Sequence, residues 1–260
     1  MKILVCGKGG CGKSTLSVML ARAFEAMGWR VLLVDADESN FGIPHLIGVD
    51  PPMDLMESFG GKKGFKQKLN ANFPSDNEGI FDKEQKTADI APGCVSQTGG
   101  IQVVSIGKIH HFGEGCACPM GMLSNKFLSS LVLADNEIVI VDTEAGVEHF
   151  GRGVIARGDV VIGVVDPTAE SLKLAEKMRE MAYNAGKPVY FVINKNEAEV
   201  EPLILEHLDA QQVAAKIPRD NALFLSSLPG RPIEQANEPA AALAAWLAES
   251  AENAKTIHNE

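Results

Sequence analysis

The sequence has no apolar run long enough to cross a membrane. Its strongest runs, Val31–Val34, Ile138–Val141 and Val160–Val165, are four to six residues long, whereas a bilayer-spanning helix needs about 20. A secretory leader is not expected, because the apolar opening Ile3–Cys6 runs straight into a glycine-rich loop. Positive charge is in the minority: Lys plus Arg number 24 against 34 Asp plus Glu, a formal charge of −10. That balance argues against non-specific binding to nucleic acid or anionic membranes as the main activity, so neither is expected as a partner. Cysteine is scarce and its count is odd, with Cys6, Cys11, Cys94, Cys116 and Cys118 the only five. Such usage suits a cytoplasmic protein in which thiols serve packing, metal or redox chemistry rather than a disulfide framework.

What is present reads as an ordinary globular composition, 45% hydrophobic and 22% charged. A chain of 260 residues hides roughly 70–75% of its unfolded surface without needing disulfides. The short β-branched runs have the length of parallel strands buried on both faces. Strands are expected at Lys2–Cys6, Arg30–Val34, Ile101–Ile106, Glu137–Val141, Asp159–Val165, Pro188–Ile193 and near Val213–Ile217. Helical patterns separate several of them. One, about Ser14 to Met27, places Leu16, Met19, Leu20 and Ala23 on one face; another, Ala169–Ala185, aligns Leu172, Ala175, Met178 and Met181. This alternation predicts an α/β fold with a mostly parallel central sheet flanked by helices on both faces, in a single domain over 1–260. The stretch from about Asn70 to Gly100 is polar and without period, and reads as an irregular insertion. A last helix, about Pro239–Ala254, gathers Leu243, Trp246 and Leu247 and should dock onto the domain.

Gly7-Lys8-Gly9-Gly10-Cys11-Gly12-Lys13-Ser14-Thr15 satisfies G-x-x-x-x-G-K-[ST] between a strand and a helix. Glycines let successive backbone N–H groups converge on phosphate oxygens, and the following helix adds its positive end. Gly9, Gly10, Cys11 and Gly12 are the expected cradle. Lys13 is expected to bridge the β- and γ-phosphates, Ser14 to ligate Mg2+, and Thr15 to touch the α-phosphate. ATP is favoured over GTP, because Asn194-Lys195-Asn196-Glu197 lacks the Asp of the guanine-reading N-K-x-D motif.

Lys8, directly after the first glycine, gives the loop the deviant Walker A form, and here the sequence resembles the nitrogenase-iron-protein/MinD/ParA class of ATPases. That resemblance implies that Lys8 reaches the partner's phosphates in a nucleotide-sandwich homodimer. It implies that Asp37 orients the attacking water and Asp35 supports magnesium. Asp142 stands as the Walker-B-like acid holding magnesium through water, and Gly146 of Asp142-Thr143-Glu144-Ala145-Gly146 approaches the γ-phosphate. Asn194, at the end of Val192-Ile193-Asn194-Lys195, matches the class's adenine reader, although a turn Asn ending a strand has the same pattern. Pro218 and Arg219 match the loop flanking the base.

Gly115-Cys116-Ala117-Cys118-Pro119 places two thiols two residues apart. So small a ring strains a disulfide, whereas both thiolates suit a soft metal. Two thiolates do not complete a tetrahedral site, so a two-fold dimer supplying Cys116 and Cys118 from each subunit is expected to share one four-thiolate site. Adjacent His110 and His111 point opposite ways in an extended segment and are read as loop or packing residues; Met120 and Met122 are read as helix packing. Gly113-Glu114-Gly115-Cys116-Ala117 is similar to the cluster loop of the nitrogenase iron protein, but Thr143–Phe150 has no second cysteine. The pair, together with Glu144-Ala145-Gly146-Val147-Glu148-His149, instead resembles CooC-type ATPases, the nickel-insertion accessory proteins of carbon monoxide dehydrogenase. The resemblance implies Ni2+ at the shared thiolates, with Zn2+ suited to the same donors, and a nickel carbon monoxide dehydrogenase as client, acetyl-CoA synthase being the alternative. Two other readings use the same nucleotide motifs: a MinD/ParA-type spatial regulator and an iron–sulfur ATP-dependent reductase.

Overall fold

The apolar runs pair side by side into an eight-stranded sheet in the computed structural model, which describes residues 1–71, 81, 83–109, 118–146 and 153–258. Strands β1 (Lys2–Gly7), β2 (Arg30–Ala36), β3 (Ser96–Thr98), β4 (Ile101–Ser105), β5 (Glu137–Thr143), β6 (Val160–Val165), β7 (Val189–Asn196) and β8 (Val213–Pro218) lie in the order β3-β4-β2-β5-β1-β6-β7-β8. Every neighbouring pair is parallel except β3–β4, which is antiparallel. β5, at the centre, is buried at every position. Only a strand covered on both faces tolerates so continuous an apolar run.

Alternate side chains of the central strands feed two cores. On one face Leu4, Leu32, Val139 and Val141 pack with Leu123 and Phe127 of α5 (Cys118–Ser130) and with Ala175 and Met178 of α6 (Ala169–Asn184). On the other, Ile3, Leu33, Ile138 and Ile140 meet Leu16, Leu20 and Phe24 of α1 (Lys13–Ala26) and Leu243 and Leu247 of α9 (Glu238–His258). Each such buried Val, Leu, Ile, Phe or Met side chain contributes about 1.5–3 kcal/mol of transfer free energy. The last helix packs against this face of the sheet, and the Trp246 ring meets Tyr190 edge-on at 4.7 Å. Met120 is buried as expected of a packing residue, but Met122 is 51% exposed, because it lies on the solvent face of α5.

Of the span from 70 to 100, residues 72–80 and 82 lie outside the described residues, and the rest carries short elements. α4 (Gly61–Ala71) enters it, two 3-10 turns occupy Thr87–Asp89 and Pro92–Cys94, and β3 closes a hairpin with β4. These pieces are too short to leave a periodic signature. Three further short helices, α2 (Gly42–Ile47), α3 (Leu55–Ser58) and α7 (Glu201–Leu205), and α8 (Asn221–Ser227) complete the elements used below.

Topology positions the site. The chain leaves β1 toward β2 and β4, returns through β5, and continues past β1 to β6. Ligands of open α/β sheets sit at the carboxyl ends of strands where the order switches in this way. The loop Lys8–Gly12 leaves β1 at that point.

Candidate functional site

Gly12 caps α1 in the left-handed region, at φ 103°. A Cβ there would collide with the Asn194 amide nitrogen, so both the conformation and the close approach require glycine. Gly7 is excluded from substitution by space alone: its Cβ would lie 2.6 Å from the Val164 carbonyl oxygen and 2.8 Å from Cys11 Sγ. The loop is further tied by two side chains from the end of β7. Asn194 Nδ2 donates to the Cys11 carbonyl at 2.7 Å, and Lys195 Nζ donates to the Gly10 carbonyl at 2.7 Å. Lys13 is buried at the start of α1, its Nζ 3.2 Å from the Lys8 carbonyl.

The acids expected beside this loop converge. β2 and β5 pair in a register that sets Asp35 next to Asp142. Ser14 Oγ donates to Asp142 Oδ2 at 2.7 Å, Ser17 Oγ donates to Oδ1 at 3.2 Å, and Asn40 Nδ2 donates to Ser14 Oγ at 2.8 Å. Burial lifts the Asp142 carboxyl to about 6 despite the Ser14 bond and Lys13. It lifts Asp35 to about 7 despite the Lys108 ammonium 2.7 Å away. Asp37 is buried, and its Oδ1 accepts from Ser39 N at 2.9 Å and Ser39 Oγ at 2.7 Å. Hydroxyl and carboxylate oxygens are hard donors, and Ser14 with Asp142 fits Mg2+. Gly146 reaches the loop directly, its N–H donating to the Gly7 carbonyl at 3.2 Å.

A cavity of about 520 Å3 opens beside the loop, lined by Gly12, Thr15, Asn194, Pro218, Arg219 and Phe224 among others. Its size is that of a small-molecule site. Asn194, Pro218 and Arg219 are thus brought together with the phosphate loop around one cavity. Arg219 Nε also pairs with Glu197 Oε1 at 2.8 Å.

Lys8 is held within its own chain. Its Nζ lies 3.5 Å from Asp166 Oδ2, and Lys195 Nζ lies 3.7 Å from the same oxygen. Burial acts against the Asp166 carboxylate, but Thr168, Lys8, Ser171 and Lys195 outweigh it and hold the carboxyl below its ordinary value.

Of the cysteine pair, Cys116 lies outside the described residues, as do His110, His111 and the segment 147–152 with Glu148 and His149. Cys118 is exposed at the first turn of α5 and is held in a disulfide. A thiolate role requires its reduced form. Cys6, Cys11 and Cys94 are buried free thiols. Among the described residues no group of three or more His, Cys, Asp or Glu side chains is placed to hold a metal, and no helix is long and apolar enough to cross a membrane.

Sequence reasoning missed Lys108, Asp166 and Lys195. Asp166 ends β6 in Val-Val-Asp, the same strand-end signal that marked Asp35 and Asp142. Lys195 adopts φ 55°, which no spacing rule announces. Lys108 is a lone lysine after an apolar strand, and only its 8% exposure shows that it points inward.

Comparison with known proteins gives the family and the fold. The profile described as "CobQ/CobB/MinD/ParA nucleotide binding domain" matches residues 2–233. An uncharacterized ATP-binding protein of Methanocaldococcus jannaschii is 46% identical over 230 residues, 88% of this chain and 92% of that protein. The carbon monoxide dehydrogenase accessory protein CooC of Rhodospirillum rubrum is 33% identical over 231 residues, 86% of this chain and 85% of that one. In fold, the septum site-determining protein MinD of Pyrococcus horikoshii, solved with Mg-ADP, superposes with a TM-score of 0.66 over 95% of both chains at 18% identity. The chain belongs to the CobQ/CobB/MinD/ParA family of nucleotide-binding P-loop proteins.

Proposed function

We propose that this protein is an ATP-hydrolysing accessory factor that uses an ATP-driven homodimer cycle to deliver nickel to carbon monoxide dehydrogenase. The observation that carries the reading is the position of Cys118. It opens α5, the helix that connects β4 to the parallel strand β5, so its first turn faces the carboxyl ends of the strands, where the phosphate loop leaves β1. The similarity to CooC over most of both chains supports the choice of client and metal.

In this reading the backbone amides of Gly9–Gly12, Lys13 and the start of α1 bind the ATP phosphates. Mg2+, held by Ser14 and by Asp142 through water, with Asp35 in support, would neutralise charge on the phosphates. Asp37 orients water for attack on the γ-phosphorus, yielding ADP and phosphate. Lys8, once released from Asp166, places positive charge where the leaving phosphate oxygen becomes negative, across the interface of two copies. Asn194, Pro218 and Arg219 bound the base. Because ATP favours the closed dimer only as far as it binds that state more tightly, hydrolysis reopens it.

Closure assembles Cys116 and Cys118 of both copies around the metal cargo. Metal content and dimer fraction, measured on reduced protein with and without ATP, test this. The parent should carry about one nickel or zinc per dimer, as a tetrahedral four-thiolate site requires, and the Cys116→Ser/Cys118→Ser variant none. Full metal retention by a variant that still binds ATP defeats the metal reading. Strong ATP-dependent pelleting of the parent with lipid vesicles replaces it with the spatial-regulator reading.

A further inference from the structure

Lys108 is a lysine for which the proposed chemistry has no use, although it is buried nearly as completely as Lys13. A buried ammonium persists only where it is paired and hydrogen-bonded. Lys108 is paired with Asp35 at 2.7 Å, donates to the Asp37 carbonyl at 2.6 Å, donates also to the Asn40 carbonyl, and lies over the Phe41 ring. One side chain from the exit of β4 therefore holds both ends of the acidic segment 35–40. The backbone repeats the attachment, with Ile106 N–H donating to the Asp35 carbonyl at 2.9 Å and Ile109 N–H donating to the Glu38 carbonyl at 3.0 Å.

The same four-residue exit also touches the cysteine helix. A Cβ on Gly107 would lie 3.0 Å from Met56 Cβ and 3.3 Å from Met120 Cγ, so its backbone is pressed against the buried side chain two residues after Cys118. At the other end, Asn40 donates to Ser14 Oγ, the hydroxyl expected on magnesium. Ser14, Asn40, Lys108, Gly107 and Met120 form a contiguous series of contacts from the phosphate loop to the first turn of α5.

We infer that Lys108 is a positioning residue that couples the nucleotide state of segment 35–40 to the first turn of α5, and so to Cys118. The inference rests on the proposed ATP cycle. It adds the route by which that cycle reaches the thiol. Coupling along this route is read as a nucleotide-dependent rate at Cys118.

The full-length protein is kept reduced, and Cys118 alkylation by iodoacetamide is timed by mass spectrometry in Mg-ADP and in a Mg-bound non-hydrolysable ATP analogue. Binding of a fluorescent ADP, thermal unfolding and the kcat and KM for ATP are measured alongside. The parent's alkylation rates should differ by about fivefold or more between the two nucleotides, the lower end of usual coupling factors. Lys108→Met should bring the ratio within about twofold and lower kcat about tenfold while KM and ADP affinity change little, the pattern of lost positioning rather than lost binding. A Lys108→Met protein that folds and keeps the parent's ratio overturns the inference. If Lys108→Met does not fold, Gly107→Ala, which presses on Met56 and Met120 and changes no member of the ion pair, should reduce the ratio with kcat within about twofold of parent; an unchanged ratio is again fatal. A parent that hydrolyses ATP but shows no nucleotide dependence at Cys118 removes this route and leaves the ATPase reading standing. A parent that binds no ATP removes both.

Discussion

The Asn194 side-chain amide donates to the Cys11 carbonyl at 2.7 Å and fills the space a Gly12 side chain would need. The residue expected to read adenine is therefore also a clamp on the phosphate loop. Asn194→Ala should lower both the unfolding temperature and ADP affinity, the latter about five- to tenfold for one lost partly buried hydrogen bond of ~1 kcal/mol. Gly12→Ala should abolish nucleotide binding altogether, since φ 103° and the Asn194 contact both oppose it. Titration calorimetry measures both, and unaltered ADP affinity in Asn194→Ala would show that the loop is organised without the clamp.

Lys8 sits 3.5 Å from Asp166, so a trans role requires that pair to open. Lys8→Ala should leave ADP affinity of the monomer nearly unchanged and reduce turnover about a hundredfold, as loss of one preorganised donor does elsewhere. Asp166→Asn should raise the dimer fraction at a fixed ATP concentration, because Lys8 is no longer held in cis. Sedimentation velocity reads this fraction; the same fraction in parent and variant means the ion pair has no energetic consequence, as for many partly exposed pairs.

Burial raises Asp142 to about 6 from an ordinary carboxyl value of 3.8. A raised carboxyl binds its proton more tightly in the folded state, so this group favours folding at low pH and its contribution is lost as pH rises from about 4 to about 6. In chelator-treated, nucleotide-free protein the loss is at most about 3 kcal/mol. Asp142→Asn should flatten the fall in unfolding temperature between about pH 4 and about pH 6.5, to about the extent this linkage allows. Parallel curves for parent and variant would contradict the burial account.

Burial pushes the Cys6 thiol up to about 12 and raises Cys11 and Cys94 as well. Only the thiolate is nucleophilic, so at about pH 8 these three should resist iodoacetamide in the folded, reduced protein while the exposed Cys118 reacts. Denaturant should expose all three. Modification of Cys11 at the rate of Cys118 would show that the loop opens in solution.

The sequence carried the parts of this protein that depend on local chemistry. A strand, a glycine-rich turn and Lys13-Ser14-Thr15 point to a phosphate site because the backbone of one short segment builds such a cradle. Asp35 and Asp142 were legible because each ends an apolar run, and such runs become parallel strands whose ends share one edge. β3, the 3-10 turns and the short helices between Gly42 and Ala71 were not legible, since segments of three to eleven residues show too few periods to register.

Tertiary structure decided which side chains meet. Asn194 and Lys195 reach the carbonyls of Cys11 and Gly10 across more than 180 residues of chain. Lys8 finds Asp166, and Lys108 finds Asp35, because β6 flanks β1 and β4 flanks β2. The motif by itself located the expected phosphate site. Which charges surround it, and through which contacts Cys118 is joined to it, followed from strand order, because burial makes a lysine or carboxylate seek a partner that only its neighbouring strands can supply.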